Sequence, residues 1–205
     1  GLMTRRSGLL GIALPDIHGE FYSELLRGAD AEARRLGYQV LVSAFPSHPE
    51  PGTSPGGGLG RALGLVDGLA LMITEPDERL LGSMLRLQIP VVVLDADTPG
   101  GFDAVLVDHS SRALAAAHHL TAYTPAAKCF FVGGPESNLD TQTRRRAFER
   151  ALSERNHSPR PDQIQYHEYS IAWGESWARK HFSTHSERGI AVFAANDDIA
   201  FGVLR

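Results

Sequence analysis

Leu9-Leu10-Gly11-Ile12-Ala13-Leu14-Pro15-Asp16-Ile17-His18-Gly19-Glu20-Phe21 is the stretch whose reading decides the fold. Leu9 to Leu14 is an almost unbroken apolar run, the pattern of a strand buried on both faces in a parallel sheet. Pro15 ends the pairing because it has no backbone N–H to donate. Asp16 therefore falls at the carboxyl end of the strand, the edge where open parallel sheets bind ligands. A helix follows, with Phe21, Leu25, Ala29 and Ala33 recurring along one face and Leu36 closing the stripe. Gly37 supplies the stop, and Val40-Leu41-Val42 is the next strand. The result is a βαβ opening that carries Asp16, Phe21 and Tyr22 at its ligand edge.

Working outward, the same pattern repeats. Val66 to Ile73, Ile89 to Asp95, Val105 to Asp108, Lys128 to Pro135, Ile164 to Tyr166 and Ile190 to Ala195 read as further strands. A helix is predicted from Pro76 to Leu87 with Leu80, Leu81, Met84 and Leu87 inward. Ser110 is read as the cap of another, with Leu114, Ala117 and Leu120 or Thr121 on one side. Phe148, Ala151 and Leu152 mark the buried face of a third. Trp173, Trp177 and His181 share the face of a fourth, where the tryptophans read as core. Strands alternating with helices predict mostly parallel sheets. The exception is Phe45 to Gly60, whose density of Pro and Gly reads as a loop, either a plain surface connection or a lid or subunit contact.

Composition narrows the function. The 205 residues suit one large domain or two small ones, and 42% hydrophobic with 21% charged residues is ordinary for a soluble globular chain. A net charge of −4 argues against nucleic-acid binding by this chain itself, and Arg144-Arg145-Arg146 is too short to make a basic surface. The single cysteine, Cys129, excludes an internal disulfide and sits in an apolar run, as a small buried hydrophobe does. No run approaches the ~20 apolar residues that cross a bilayer. The N-terminus lacks the layout of a secretion signal, so a cytoplasmic location is expected. His118 and His119 are adjacent and point apart on a helix, so no metal site is predicted. No Gly-x-Ser-x-Gly elbow, phosphate loop or Gly-x-Gly-x-x-Gly turn follows a strand, and no nucleophile–base pair is visible. The chain is read as a non-enzyme with no catalytic residue, no cofactor and no metal.

The polar residues at strand ends point to binding instead. Asp16, Asp95, Asp108 and Asn196-Asp197 each follow a buried apolar run. A polyhydroxy ligand needs such acceptors, a donor fork and an apolar plate. Arg144 suits the fork; Phe21, Tyr22 and Tyr169 suit the plate. Each has a plainer alternative: Asp108 can simply cap the next helix, and Arg144 can be solvated, as Arg145 and Arg146 are taken to be.

Several of these stretches together resemble the effector-binding domain of lactose-repressor/galactose-repressor (LacI/GalR) transcriptional regulators. They are Gly11 to Asp16 with Phe21 to Gly28, Val66 to Ile73, Gly134-Pro135 followed by Arg144, Ala147-Phe148 and Ala151-Leu152, and Ile190 to Gly202. Thr4-Arg5-Arg6-Ser7 resembles the segment that joins that domain to a DNA-binding head. The likeness runs from residue 5 to 205. It is weakest at 45–60, where the family has a helix, and at Asp108-His109 and Tyr123-Thr124-Pro125, where the family has Asp-Asn and Gly-His.

The resemblance implies an α/β, periplasmic-binding-protein-like fold: two doubly wound parallel-sheet subdomains with a ligand cleft between them. Residues 1–7 would be a linker remnant, 8–108 the N-terminal subdomain and 109–205 an incomplete C-terminal one, since family domains run on beyond the point where this chain stops. It implies ligand contacts from Asp16, Phe21, Tyr22, Asp95, Asp108, Arg144, Tyr169, Asn196 and Asp197. It implies a small sugar-like effector, a homodimer, and operator DNA bound only through an absent helix-turn-helix head, with no membrane partner. The effector would act as a repressor-type switch by its different affinity for two states of the protein. The competing expectation is a periplasmic-type sugar-binding protein of a transporter. Thr4-Arg5-Arg6-Ser7 favours the regulator.

Overall fold

The computed structural model describes residues 6–17, 19–44, 64–73, 82, 84–85, 88–96, 101–184 and 189–205. The loop expected over 45–60 and most of the helix expected over 76–87 lie outside the described residues, as do Thr4 and Arg5. The chain divides into two compact units, Gly1–Val107 and Asp108–Arg205.

The first unit is built on a parallel five-stranded sheet in the order β2-β1-β3-β4-β5. Its elements are β1 (Leu9–Leu14), α1 (Glu20–Arg35), β2 (Gln39–Ala44), β3 (Gly68–Met72), β4 (Val91–Leu94) and β5 (Asp103–Val105). β1 is an interior strand, flanked by β2 and β3, because its apolar run can be covered from all sides. Ile12 lies opposite Val42 on one flank and Ala70 on the other, and Ala13 and Leu14 have no solvent exposure. Tyr22, Leu25, Leu26 and Ala29 of α1 pack on Ile12, Leu14 and Met72. The ends of the expected stripe, Phe21 and Leu36, stay about half exposed. Gly37 takes the left-handed conformation that follows the helix, with φ of 81°.

A link from outside the strands fixes where β1 begins. The Asp67 carboxylate accepts hydrogen bonds from the Ser7 amide (2.9 Å), the Ser7 hydroxyl (3.0 Å) and the Gly8 amide (2.9 Å). The Asp67 amide donates to Leu9 O at 2.8 Å, so the start of β1 is tied to the start of β3.

Two local expectations are corrected here. The fifth strand is Asp103–Val105, not Val105–Asp108, and Leu106 and Val107 are about half exposed. The reason is the second correction: the next helix is capped by Asp108 rather than Ser110, so the chain must leave the sheet before Asp108.

The second unit carries a parallel three-stranded sheet in the order β7-β6-β8. Its elements are α2 (His109–Tyr123), β6 (Cys129–Gly133), α3 (Leu139–Ser153), β7 (Ile164–Tyr166), α4 (Ile171–Thr184), β8 (Ala191–Ala194) and α5 (Asp197–Leu204). β6 is buried along its whole length, and Phe148, Leu152, Trp177 and Ile199 close around it. Cys129 is a buried free thiol whose pKa is pushed up by burial, as expected of a small hydrophobe. Trp177 lies in this core with His181 stacked against it at 4.9 Å. Gln163, fully buried, is satisfied at every polar atom: it donates to Ala126 O and Cys129 O and accepts from the Arg160 amide and the His157 ring. No helix among the described residues is long and apolar enough to cross a membrane.

Candidate functional site

Because the second sheet is parallel, the ends of β6, β7 and β8 deliver their following residues to one edge. β6 ends at Gly133, and Pro135 starts a turn closed by the Asn138 amide donating to Pro135 O. Asn138 is the N-cap of α3: its side-chain oxygen accepts from the Thr141 amide at 3.0 Å. Arg144 then comes on the second turn of the helix, near the sheet edge.

Tyr169, from the segment between β7 and α4, meets that turn. Its hydroxyl donates to Asn138 Oδ1 at 3.1 Å. A phenol has one proton, so the 2.7 Å contact with Thr141 must be donated by the threonine hydroxyl. Arg144 Nη1 donates to the same phenol oxygen at 3.5 Å. The Tyr169 hydroxyl is thus committed within the protein, and burial pushes its pKa above the ordinary value. Thr141 is fully buried and Asn138 nearly so. Arg144 also pairs with Asp140 Oδ2 at 3.1 Å, one helical turn earlier. Asp140 Oδ1 lies 3.8 Å from His109 Nε2.

Of the expected site residues in this unit, Arg144 and Tyr169 are brought together. Asn196 caps α5, accepting from the Ile199 amide at 3.0 Å, and Asp197 begins that helix exposed to solvent. Asp108 uses its carboxylate on the Ser111 hydroxyl and amide and on the Ser110 hydroxyl. These bonds, the Ser111 hydroxyl first, hold its pKa below the usual value. In the first unit Asp16 is exposed after Pro15. Phe21 and Tyr22 meet edge to face with ring centroids 5.3 Å apart. Asp95 follows β4 in the left-handed region, φ 59°, its amide donating to Val105 O at 2.8 Å. That conformation is tolerated by a short polar side chain.

Sequence reasoning missed Asn138, Asp140 and Thr141. Asn138 had a readable signal, a capping residue just before an apolar-periodic stretch with an acid in the first turn. Arg145, read as solvated, is corrected: its side chain is two-thirds covered, lies against the Tyr166 hydroxyl and pairs with Glu149 at 3.5 Å. Arg146 is exposed, as expected.

Comparison with known proteins agrees with this architecture. The family described as periplasmic binding proteins and sugar binding domain of LacI family matches residues 7–205. Catabolite control protein A of Priestia megaterium is 24% identical over 206 residues, covering 100% of this chain and 61% of that protein. The HTH-type transcriptional regulator DegA of Bacillus subtilis is 26% identical, covering 100% of this chain and 60% of its own length. The chain therefore spans under two thirds of these relatives. In fold, the crystal structure of a sugar-binding transcriptional regulator (LacI family) from Enterococcus faecalis is similar, with a TM-score of 0.80 at 24% identity, covering 98% of this chain and 71% of that one.

Proposed function

The chain belongs to the family of periplasmic binding proteins and LacI-family sugar-binding domains, and from that premise we propose that it is the effector-sensing domain of a bacterial repressor-type transcriptional regulator. The observation that carries the reading is Arg144, held at the carboxyl edge of the second sheet by Asp140 and Tyr169. A fixed guanidinium offers a donor fork to ligand oxygens at the place where open parallel sheets bind ligands. The relative named as an HTH-type transcriptional regulator supports a regulator over a transport protein or an enzyme.

In this reading the effector is a small polar compound, a sugar or related metabolite. Its contacts in the second unit are Arg144, Tyr169, Asn196, Asp197 and Asp108, and in the first Asp16, Phe21, Tyr22 and Asp95. Tyr169 acts through its ring and through its hold on Arg144, since its hydroxyl is already committed. Effector binding shifts a homodimer between two states and so changes operator affinity through a DNA-binding head joined upstream. The shift available equals the effector's differential affinity for the two states. A thermal-shift screen of sugars, nucleosides and sugar phosphates tests the proposal, because a ligand that binds only the native state raises the melting temperature. A stabilising sugar supports it; a screen in which no compound stabilises the domain removes it.

A further inference from the structure

We propose that Asp140 sets the charge of the effector: by neutralising Arg144 in place, it makes the site select an uncharged polyhydroxy compound and reject the phosphorylated or carboxylated form. This deepens the effector-sensing reading and rests on it.

The geometry is specific. Arg144 Nη2 lies 3.1 Å from Asp140 Oδ2, and the two side chains are only 22% and 33% exposed. Coulombic interaction is stronger in such a partly covered place than between fully solvated ions. Tyr169 fixes the guanidinium from a second direction, and its own hydroxyl is saturated by Asn138 and Thr141. Arg144 therefore stands at the sheet edge with its charge matched and its orientation set. A neutral hydroxyl accepts an N–H from it without needing net charge. An anionic group at the same place must also approach the Asp140 carboxylate, and like charges brought together are disfavoured.

The plainer role for Asp140 is an acid in the first turn of α3, which complements the helix dipole. That role does not act through Arg144, so the two are separable: an anion response gained at the helix terminus alone would persist without Arg144. His109 faces the other Asp140 oxygen.

The probe is inorganic phosphate, titrated into the chain with chloride at matched ionic strength as reference and thermal stability as readout. The parent is expected to respond to phosphate no more than to chloride. Asp140→Asn is expected to gain phosphate binding by about tenfold, as relief of a like-charge contact predicts. The gain should vanish in Asp140→Asn combined with Arg144→Gln. Asp140→Ser serves the same purpose should the Asn variant fold poorly. Asp162→Asn removes an equal charge from the exposed pair with Arg160 and should gain nothing. Equal phosphate responses in the parent and the Asp140 variants, or a gain that persists without Arg144, overturns the proposal. A sugar screen without hits would remove the effector reading and leave the phosphate result standing. A missing gain in the Asp140 variants would remove charge selection and leave the effector reading intact.

Discussion

The ring of Tyr169 lies across Gly134 so closely that a Cβ added to the glycine would sit 2.6 Å from Cε1. No side chain fits there, and the glycine is required by close approach rather than by an unusual φ. The contact lets the phenol reach Asn138 and Thr141 and, through its oxygen, hold Arg144. A missing side chain at the end of β6 thereby positions a charged one on α3.

Gly134→Ala should displace the ring. Overpacking of this kind costs about 1–3 kcal/mol of stability. Displacement also exposes the phenol, so its pKa, raised by burial, should fall toward the ordinary tyrosine value. Denaturant unfolding and a spectroscopic pH titration read the two effects. Gly28→Ala is the contrast: it lies within α1 with nothing near its Cβ position, and should stabilise by roughly 0.5–1 kcal/mol. Similar destabilisation by both changes would refute the packing account.

Arg144→Ala should weaken effector binding by about 1.5–3 kcal/mol, the range for a charge-assisted hydrogen bond. Folding should change little, because the pair with Asp140 is a single-turn ion pair, of the kind worth about 0.5 kcal/mol. Arg146→Ala is the proper control, since Arg146 is exposed and bonds only to Gln142 O at 3.2 Å among the described residues. Arg145→Ala is not, because Tyr166 and Glu149 lie against it. Calorimetry showing equal affinity in the parent and Arg144→Ala, or equal losses at 144 and 146, removes Arg144 from the site.

Gln163→Leu should cost roughly 1–3 kcal/mol, because it takes the side-chain donor from the buried Cys129 carbonyl and the side-chain acceptor from the Arg160 amide, while Ala126 O keeps the Cys129 amide. Gln165→Leu makes the comparison: among the described residues its side chain has only a 3.4 Å exposed bond to Asp162 O, and its loss should shift the unfolding midpoint little. A near-neutral Gln163→Leu would mean the buried amide is dispensable.

The Asp67 latch on Ser7 and Gly8 should be pH-dependent. The Ser7 amide bond, first among its causes, lowers the Asp67 pKa in the folded state. A lowered carboxylate pKa contributes stability that is present above the unfolded value, about 3.9, and is lost as pH falls through the folded value. Protection of the Ser7 and Gly8 amides against exchange should therefore hold at neutral pH and fade below about pH 4. In Asp67→Asn it should be weak throughout. Protection unchanged in that variant would show that strand pairing alone holds the segment.

The strands and their parallel pairing were legible in the sequence, because a continuous apolar run such as Leu9–Leu14 or Cys129–Gly133 is stable only where both faces are covered. The strand-end placement of Asp16, Asp95, Asn196 and Asp197 follows from where those runs stop, and the buried face of α3 from its period. What the tertiary structure alone decided is what each side chain touches. Tyr169 meets Asn138 and Arg144 across 31 and 25 residues of chain, and Asp67 meets Ser7 across 60; no local pattern encodes such meetings. Arg144 and Arg145 are neighbours in sequence, yet helical geometry turns one toward Tyr169 and Asp140 and the other toward Tyr166 and Glu149. Asp108 likewise reads the same as a cap and as a ligand contact, and only the folded position of Ser111 shows that its carboxylate caps the helix. Local chain chemistry sets where an element begins and which face is apolar, whereas the partner of a polar atom depends on which distant segment the closed core brings against it.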